Sequence, residues 1–511
     1  MKKYPIGKQD LRNIRTLGFH YVDKTEEIAR VFGDGGYFLL SRPRRFGKSL
    51  TISTMAELYG GDRELFGGLW AYEHWDFEAR RCPVIWLQFA SSTFASEGVA
   101  RAIERMLDEQ ARRLGVGLDE SLPYEGRFRA LVLAAAERSA GGRVVILVDE
   151  YDKPLVEYLF DDTEQLEINR KALRRFYGVL KDLERYIETF FVTGVSAFSK
   201  VSLFSDLNSL KNLTILPEAA KLVGLTAAEL EREFSEDLDA VPASREEIRC
   251  WYNGYSWGGG VRVYNPWSIL HLLDQRRLNN YWAMTGSPEF LVKGMVRGGD
   301  FAVPTEPVEE VVLTSVAVDR LSPVQLLFQT GYLTLARPGY TPYDHYLDFP
   351  NQEVRQTFNQ LLLASYAADG DVVRAGSIVF RLGAALREGD VAAAVARIDE
   401  ALAGVPSYHY ERAAERFYHA ITQTLFNGTG FVVQAEASSS RGRADLVVEA
   451  PGYVYCWEFK LDGSAGVALE QIREQGYLER YASDVREKVA VGLSFSSASR
   501  SVDAWVEERW P

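Results

Sequence analysis

The chain has little cysteine and little histidine, three and six residues in 511. Cys82, Cys250 and Cys456 stand far apart. That excludes a disulfide framework and points to reduced thiols in a cytoplasmic protein. No His/Cys spacing matches a zinc site. No apolar run is long enough to span a bilayer, so no membrane partner is expected. Met1-Lys2-Lys3-Tyr4-Pro5 has basic residues but no apolar segment behind them, so no secretion signal is expected either. A basic excess is also missing. The net charge is −13, and residues 406–511 carry more acidic than basic side chains. Phosphate neutralisation drives nonspecific nucleic-acid binding. Any such contact must therefore come from a local patch, a bound metal or assembly of several subunits. The chain has neither an internal repeat nor a low-complexity tract.

What is present describes a folded multidomain protein. Hydrophobic residues make up 47% and charged residues 25%, and the length implies two to four domains. Residues 1–215 alternate strand-like and helix-like segments. The strands are Tyr37–Leu40, Pro83–Phe89, Val144–Val148 and Thr189–Val192. Helical stretches between them include Val99–Leu114 and Gln165–Tyr186. That alternation predicts a parallel sheet covered by helices, an α/β fold. From 216 short helices dominate, and Thr226-Ala-Ala-Glu229 reads as a capping box. The Gly- and aromatic-rich stretch 251–268 predicts turns or a hairpin. Its aromatics fit a packed core better than a base-stacking surface. Gln325–Leu335 and Tyr346–Phe349 predict a small β-ribbon. Residues 356–405 read as a helical linker, with Val391–Leu402 amphipathic. Residues 406–511 alternate again and are expected to end in a helix.

Two segments carry chemistry. Arg42-Pro-Arg-Arg-Phe-Gly-Lys-Ser49 matches G-x-x-x-x-G-K-[ST] except at its first position. In that motif backbone N–H groups and a helix N-terminus cradle phosphates. Lys48 reaches the β- and γ-phosphates and Ser49 ligates Mg²⁺. Arg44, Arg45, Phe46, Gly47 and Leu50 complete the nucleotide-binding stretch. Val144–Glu150 is an apolar strand ending in two carboxylates. Asp149 suits the Mg²⁺ shell and Glu150 suits the attacking water. Thr193 ends a third strand, where a γ-phosphate sensor belongs. Arg170, Arg174 and Arg175 are candidates for an arginine acting across a subunit interface, in a homo-oligomer, but a solvated helix face is the better reading of the three.

The second segment is a hairpin pattern, Asp445 and Glu458 flanking Pro451-Gly452. On its second strand Val454, Cys456, Glu458 and Lys460 share one face; Tyr455, Trp457, Phe459 and Leu461 share the other. Asp445 and Glu458 suit Mg²⁺ or Mn²⁺, and Lys460 suits placing a water or neutralising charge. Glu415, on the helix read as Glu411–Leu425, is a further metal-ligand candidate. Glu436 competes for that role, and Gln471 on the next helix is a hydrogen-bonding candidate.

Together the motifs resemble those of bacterial AAA-ATPase-like proteins that end in a PD-(D/E)XK nuclease superfamily domain. Tyr21-Val-Asp-Lys-Thr25, Ser41–Leu50 and Val148-Asp-Glu-Tyr-Asp152 carry the first part of the resemblance. Tyr252-Asn-Gly-Tyr255, Tyr264-Asn-Pro266, Gly331-Tyr-Leu-Thr334 and Pro350-Asn-Gln-Glu-Val354 continue it. Glu415-Arg-Phe-Tyr-His419, Gly442-Arg-Ala-Asp445, Glu458-Phe-Lys460 and Glu470-Gln471 complete it. The resemblance implies a P-loop ATPase core over 1–215 and a helical, winged-helix-like middle over 216–355. It implies a restriction-endonuclease-like α/β domain over 406–511. Arginine at the first loop position is usual in such proteins. ATP and Mg²⁺, or Mn²⁺ at the nuclease site, are the implied cofactors. DNA is the implied partner, with RNA left open. The implied function is an ATPase that regulates a metal-dependent nuclease, in defence or mobile-element biology. The alternative is an ATP-switched scaffold whose C-terminal domain binds without cutting.

Overall fold

The structure is a computed structural model that describes residues 3–89, 94–159, 162–197, 203–204, 207–285, 303–304, 306–314, 322–366, 372–405, 415–438 and 443–510. The chain divides into two compact units, Met1–Asn351 and Gln352–Pro511.

The first unit is built on a five-stranded parallel sheet. Its strands are β1 (Gly36–Ser41), β2 (Val84–Gln88), β3 (Val144–Asp149), β4 (Ile187–Gly194) and β5 (Leu210–Asn212), in the order β2-β3-β4-β1-β5. β1 leads into helix α1 (Lys48–Gly60); α2 (Val99–Leu114) and α3 (Thr163–Gly178) lie between later strands. β3 is buried along its whole length and β4 nearly so. That is the apolar signature of strands covered on both faces. Leu40 pairs with Thr193 and Val148 with Val192. The C-terminal ends of β1, β4 and β3 therefore stand side by side, where open α/β sheets bind ligands. The expected helix 165–186 is shorter than read: from Val179 to Tyr186 the chain tightens to a 3₁₀ helix.

Beyond the sheet, α4 (Ala227–Asp239) opens on the expected capping box, with Thr226 and Glu229 bonded reciprocally. Helix α5 (Arg245–Tyr252) follows. The aromatic stretch then turns back through an antiparallel bridge, Tyr255 to Val263, into α6 (Pro266–Gln275). Tyr252, Tyr255 and Trp257 are buried. The ribbon expectation is half corrected. Pro323–Thr330 is helix α7, opened by a capping box between Ser322 and Gln325 with proline at its first position. Only β6 (Thr334–Pro338) and β7 (Asp344–Asp348) form the hairpin.

Three motif stretches pack behind the loop that follows β1. Phe46 meets Tyr255 and Trp257 edge-on, at 4.7 and 5.0 Å between ring centroids. Ser256 N–H donates to Thr334 Oγ1 at 2.7 Å, and that hydroxyl donates to Ser256 O at 2.9 Å. Gly254 has φ +129°, and a Cβ there would lie 1.8 Å from the Pro350 carbonyl oxygen. Gly254→Ala is thus expected to destabilise this unit by about 3 kcal/mol or more, through backbone strain and a backbone clash together. Chemical denaturation monitored by tryptophan fluorescence checks it; an unchanged midpoint refutes the packing described.

The second unit begins with helices α8 (Gln352–Tyr366), α9 (Val372–Glu388), α10 (Val391–Ala403) and α11 (Glu415–Gly428). A mixed sheet follows: β8 (Val432–Ser438), β9 (Arg443–Ala450), β10 (Tyr453–Leu461), β11 (Glu487–Ser496) and β12 (Ser501–Trp510), in that spatial order. β10 and β11 are parallel and joined through α12 (Ala465–Gln475), the crossover a parallel pair requires. Tyr455, Trp457 and Phe459 enter a core with residues of α9, α10 and α11. Val454 and Cys456 enter another with α12. The faces divide as the alternation predicts, and both are covered. The expected final helix is instead the edge strand β12, antiparallel to β11.

Candidate functional sites

The first site forms where β1 turns into α1. Gly47 sits at the helix N-cap with φ +99°, a conformation glycine adopts without strain. Arg45 is also left-handed, at φ 67°, and its guanidinium lies 4.5 Å over the Trp267 ring. Lys48 is buried, and its Nζ donates to the carbonyls of Arg42 and Pro43, each at 2.9 Å. Burial pushes the Lys48 ammonium pKa down, partly offset by Asp149 and Glu150. A cavity of about 400 Å³ opens over this turn. Arg44, Arg45, Gly47, Lys48, Ser49 and Leu50 line it from the loop and helix. Glu150 lines it from β3, joined by Lys8, Lys153 and Trp267, which sequence reasoning missed. Lys153 follows the Asp-Glu-Tyr-Asp run directly, a signal that was available; Lys8 offered none.

Asp149 and Thr193 lie buried at the ends of β3 and β4, and Thr193 Oγ1 donates to Asp149 Oδ1 at 2.8 Å. Phe46 is buried away from the large cavity and lines a smaller, mainly apolar one of about 100 Å³. The two cavities share Pro5, Gly47, Leu50, Pro266 and Leu270. The Tyr21–Thr25 motif walls the smaller one. Lys24 is partly buried there in an ion pair with Glu229 at 2.6 Å, and Asp23 accepts from the N–H groups of Thr25 and Trp70. Arg42 fills the first loop position as a buried anchor. It donates to the carbonyls of Ser41 and Thr214 and lies 4.2 Å over Trp257. Burial lowers its pKa to about 9. Arg170 is paired with Glu167 at 2.7 Å on α3, where Arg174 and Arg175 are exposed. None of the three lines either cavity.

The second site forms across the β9–β10 hairpin. Phe459 N–H donates to Asp445 Oδ2 at 2.8 Å, and Asp445 N–H donates to Glu458 Oε2 at 3.3 Å. Lys460 Nζ donates to Gln471 Oε1 at 2.9 Å and to Glu458 Oε1 at 3.4 Å. The structure thus joins Asp445, Glu458, Lys460 and Gln471 in one network. Glu458 is 1% exposed. Burial first, and the Asp445 charge second, push its carboxyl pKa up to about 7. Burial also raises that of Asp445. Glu415 stands on α11, one turn before His419. The His419 Nε2 lies 3.8 Å from Glu415 Oε1 and 3.9 Å from Asp445 Oδ2. His419 is the residue that sequence reasoning passed over; its i,i+4 spacing from Glu415 was the available signal. Glu436 falls in β8, with its side chain outside the described residues, as are Glu411 and Gly442.

A buried carboxylate and a half-buried one, beside a lysine, make an oxygen-rich cluster that suits a hard divalent cation. Among the described residues, no group of three or more His, Cys, Asp or Glu side chains is set as a metal cage. Nor is any helix among them long and apolar enough to cross a membrane.

Comparison with known proteins finds a family match over each of the two regions that hold these sites. A family described as predicted AAA-ATPase matches residues 5–204, and the PD-(D/E)XK nuclease superfamily matches residues 413–505. An uncharacterized protein in the vnfD 5' region of Azotobacter chroococcum mcd 1 is 35% identical over 522 aligned residues, spanning 99% of each chain. No solved structure matches. With a P-loop turn on a parallel sheet at one end and an Asp–Glu–Lys hairpin at the other, the chain belongs to the predicted AAA-ATPases that carry a C-terminal PD-(D/E)XK nuclease superfamily domain.

Proposed function

We propose that this protein binds and hydrolyses ATP in its first unit and thereby licenses metal-dependent cleavage of DNA by its second. The observation that carries this reading is the presence of both site networks in one chain, each with its charged groups already positioned. In the first site the N–H groups at the start of α1 and the Lys48 ammonium meet the phosphates. Ser49 and Asp149 would hold Mg²⁺. Glu150 orients the attacking water and Thr193 steadies Asp149. The apolar cavity beside Phe46 and Leu50 takes the base. In the second site Asp445 and Glu458 would hold Mg²⁺ or Mn²⁺, which when bound polarises the phosphate and acidifies a water. Lys460, fixed by Gln471, places its positive charge at the scissile phosphate. Coupling is supported by the packing behind the P-loop. Phe46 and Arg42 contact the Tyr255–Trp257 stretch, and Gly254 of that stretch abuts Pro350, two residues before the second unit begins.

The test is cleavage of plasmid and single-stranded DNA with Mg²⁺ or Mn²⁺, with and without ATP, against Asp445→Ala. ATP-dependent cutting that the variant loses is the expected result. ATP hydrolysis with no cutting under any condition sinks the nuclease half and leaves an ATP-switched scaffold.

A further inference from the structure

The strand that ends in Asp149 continues into an unusual turn. Glu150 has φ +53°, a left-handed conformation that costs a glutamate free energy and persists only when neighbours enforce it. Five hydrogen bonds enforce it here. Tyr151 N–H donates to Thr193 O at 3.1 Å, and Lys153 N–H donates to Glu150 O at 3.1 Å. The Tyr151 hydroxyl donates to Ser196 O at 2.9 Å. Asp152 Oδ2 accepts two N–H groups, from Val195 at 3.0 Å and Ser196 at 2.6 Å.

Asp152 is the unexpected member. It is 2% exposed, and a carboxylate that deep costs free energy unless its bonds repay it. No cation forms an ion pair with it among the described residues; its Oδ2 is spent on the backbone of the chain leaving β4. That chain begins at Gly194, where a Cβ would lie 2.5 Å from Asp152 Oδ1 and 2.7 Å from Tyr151 Cε1. The close approach of the two strand ends is thus fitted to this aspartate.

We propose that Asp152 is a positioning residue for ATP hydrolysis: by clamping the end of β3 to residues 194–196 it holds Glu150 over the phosphate cavity. This rests on the nucleotide reading above and adds to it. Asp152 does not line that cavity, so it acts on turnover through Glu150 and not on the bound nucleotide. Thr193 stands at the other end of the same clamp, bonded to Asp149 through its side chain and to Tyr151 through its carbonyl. The groups placed around the γ-phosphate therefore move as one body. What the clamp asks of the side chain is one oxygen that accepts two N–H bonds, and asparagine can present an equivalent one.

The experiment measures MgATP affinity with a fluorescent ATP analogue, and steady-state ATP hydrolysis, on the full chain. Asp152→Ala is expected to lower kcat about 10- to 100-fold, the cost of a misplaced catalytic group, while affinity stays within about twofold. Asp152→Asn is expected to recover most of the rate, because its amide oxygen accepts the same two bonds. Gly194→Ala keeps the aspartate but pushes its carboxylate off the clamp, and is expected to repeat the Asp152→Ala pattern. Equal kcat in Asp152→Ala and wild type overturns the inference, as does an Asp152→Asn variant as slow as alanine. A fall in affinity matching the fall in kcat also overturns it. Wild type that binds ATP without turning it over defeats the hydrolysis reading itself, and this inference with it.

Discussion

Glu458→Gln is expected to abolish cleavage and yet stabilise the second unit in metal-free buffer. Glu458 is almost fully buried, and its carboxyl is raised from the ordinary 4.5 to about 7. The folded state therefore holds a proton that the unfolded state releases. Between roughly pH 4.5 and 7 the native protein binds more protons than the unfolded chain, so stability falls as pH rises through this window. Above it the full penalty stands, roughly 3 kcal/mol at about 1.4 kcal/mol per pH unit. Glutamine keeps the shape and can still accept from Asp445 N–H, but carries no charge. With a chelator present, the variant should melt about 3–8 °C above wild type at pH 8. The gap should close near pH 4.5, where both carboxyls are neutral. Loss of a carboxylate from the proposed metal site should cost cleavage at least about a thousandfold. Thermal melts across pH, paired with a plasmid-nicking assay, check both halves. A variant less stable than wild type at pH 8 would show that Lys460 neutralises Glu458 in the folded state.

How much of this was legible in the sequence depends on how far apart the cooperating residues lie. The P-loop is contiguous, so its turn and its helix N-terminus follow from residues 42–50. Asp445 and Glu458 were also legible, because a tight hairpin fixes its own register; Leu446 pairs with Trp457, which brings the two carboxylates together. His419 was not, because only the packing of α11 on the sheet brings it to Asp445. Asp152 lies within its motif, but the clamp proposed for it depends on β4, some forty residues later, being the neighbour of β3. The two elements misread in type have local causes. In 325–335 the apolar run hid the Ser322–Pro323–Gln325 start signal of a helix. In 501–510 the spacing of Val502, Trp505, Val506 and Trp510 imitates a helical stripe. As an edge strand, β12 needs only one partner, and Glu507, Glu508 and Arg509 keep its open side from pairing further.

Lys48→Met is expected to lower MgATP affinity at least about a hundredfold, with hydrolysis lost and the fold intact. The cavity over α1 is lined by Lys8, Arg44, Arg45, Lys48 and Lys153 against one carboxylate, Glu150. Several of these cations can attract phosphate, so charge alone does not single out Lys48. Its position does. Lys48 is the buried one, held by two loop carbonyls at the first turn of α1. A buried ammonium makes stronger bonds to phosphate than an exposed one, because less water competes. Two charge-assisted bonds are worth roughly 3–6 kcal/mol together, which is a hundredfold or more in binding. Methionine fills the volume of the lysine stem and removes an ammonium that burial already disfavours. The orphaned Arg42 and Pro43 carbonyls offset that gain, so the melting temperature should move little. Arg44→Ala, at an exposed position, should weaken binding only a few-fold. If Lys48→Met and Arg44→Ala weaken ATP binding equally, the loop is a diffuse basic patch and not a P-loop. If only Lys48→Met loses ATP and its DNA cleavage no longer responds to ATP, nucleotide and nuclease are coupled through this one ammonium.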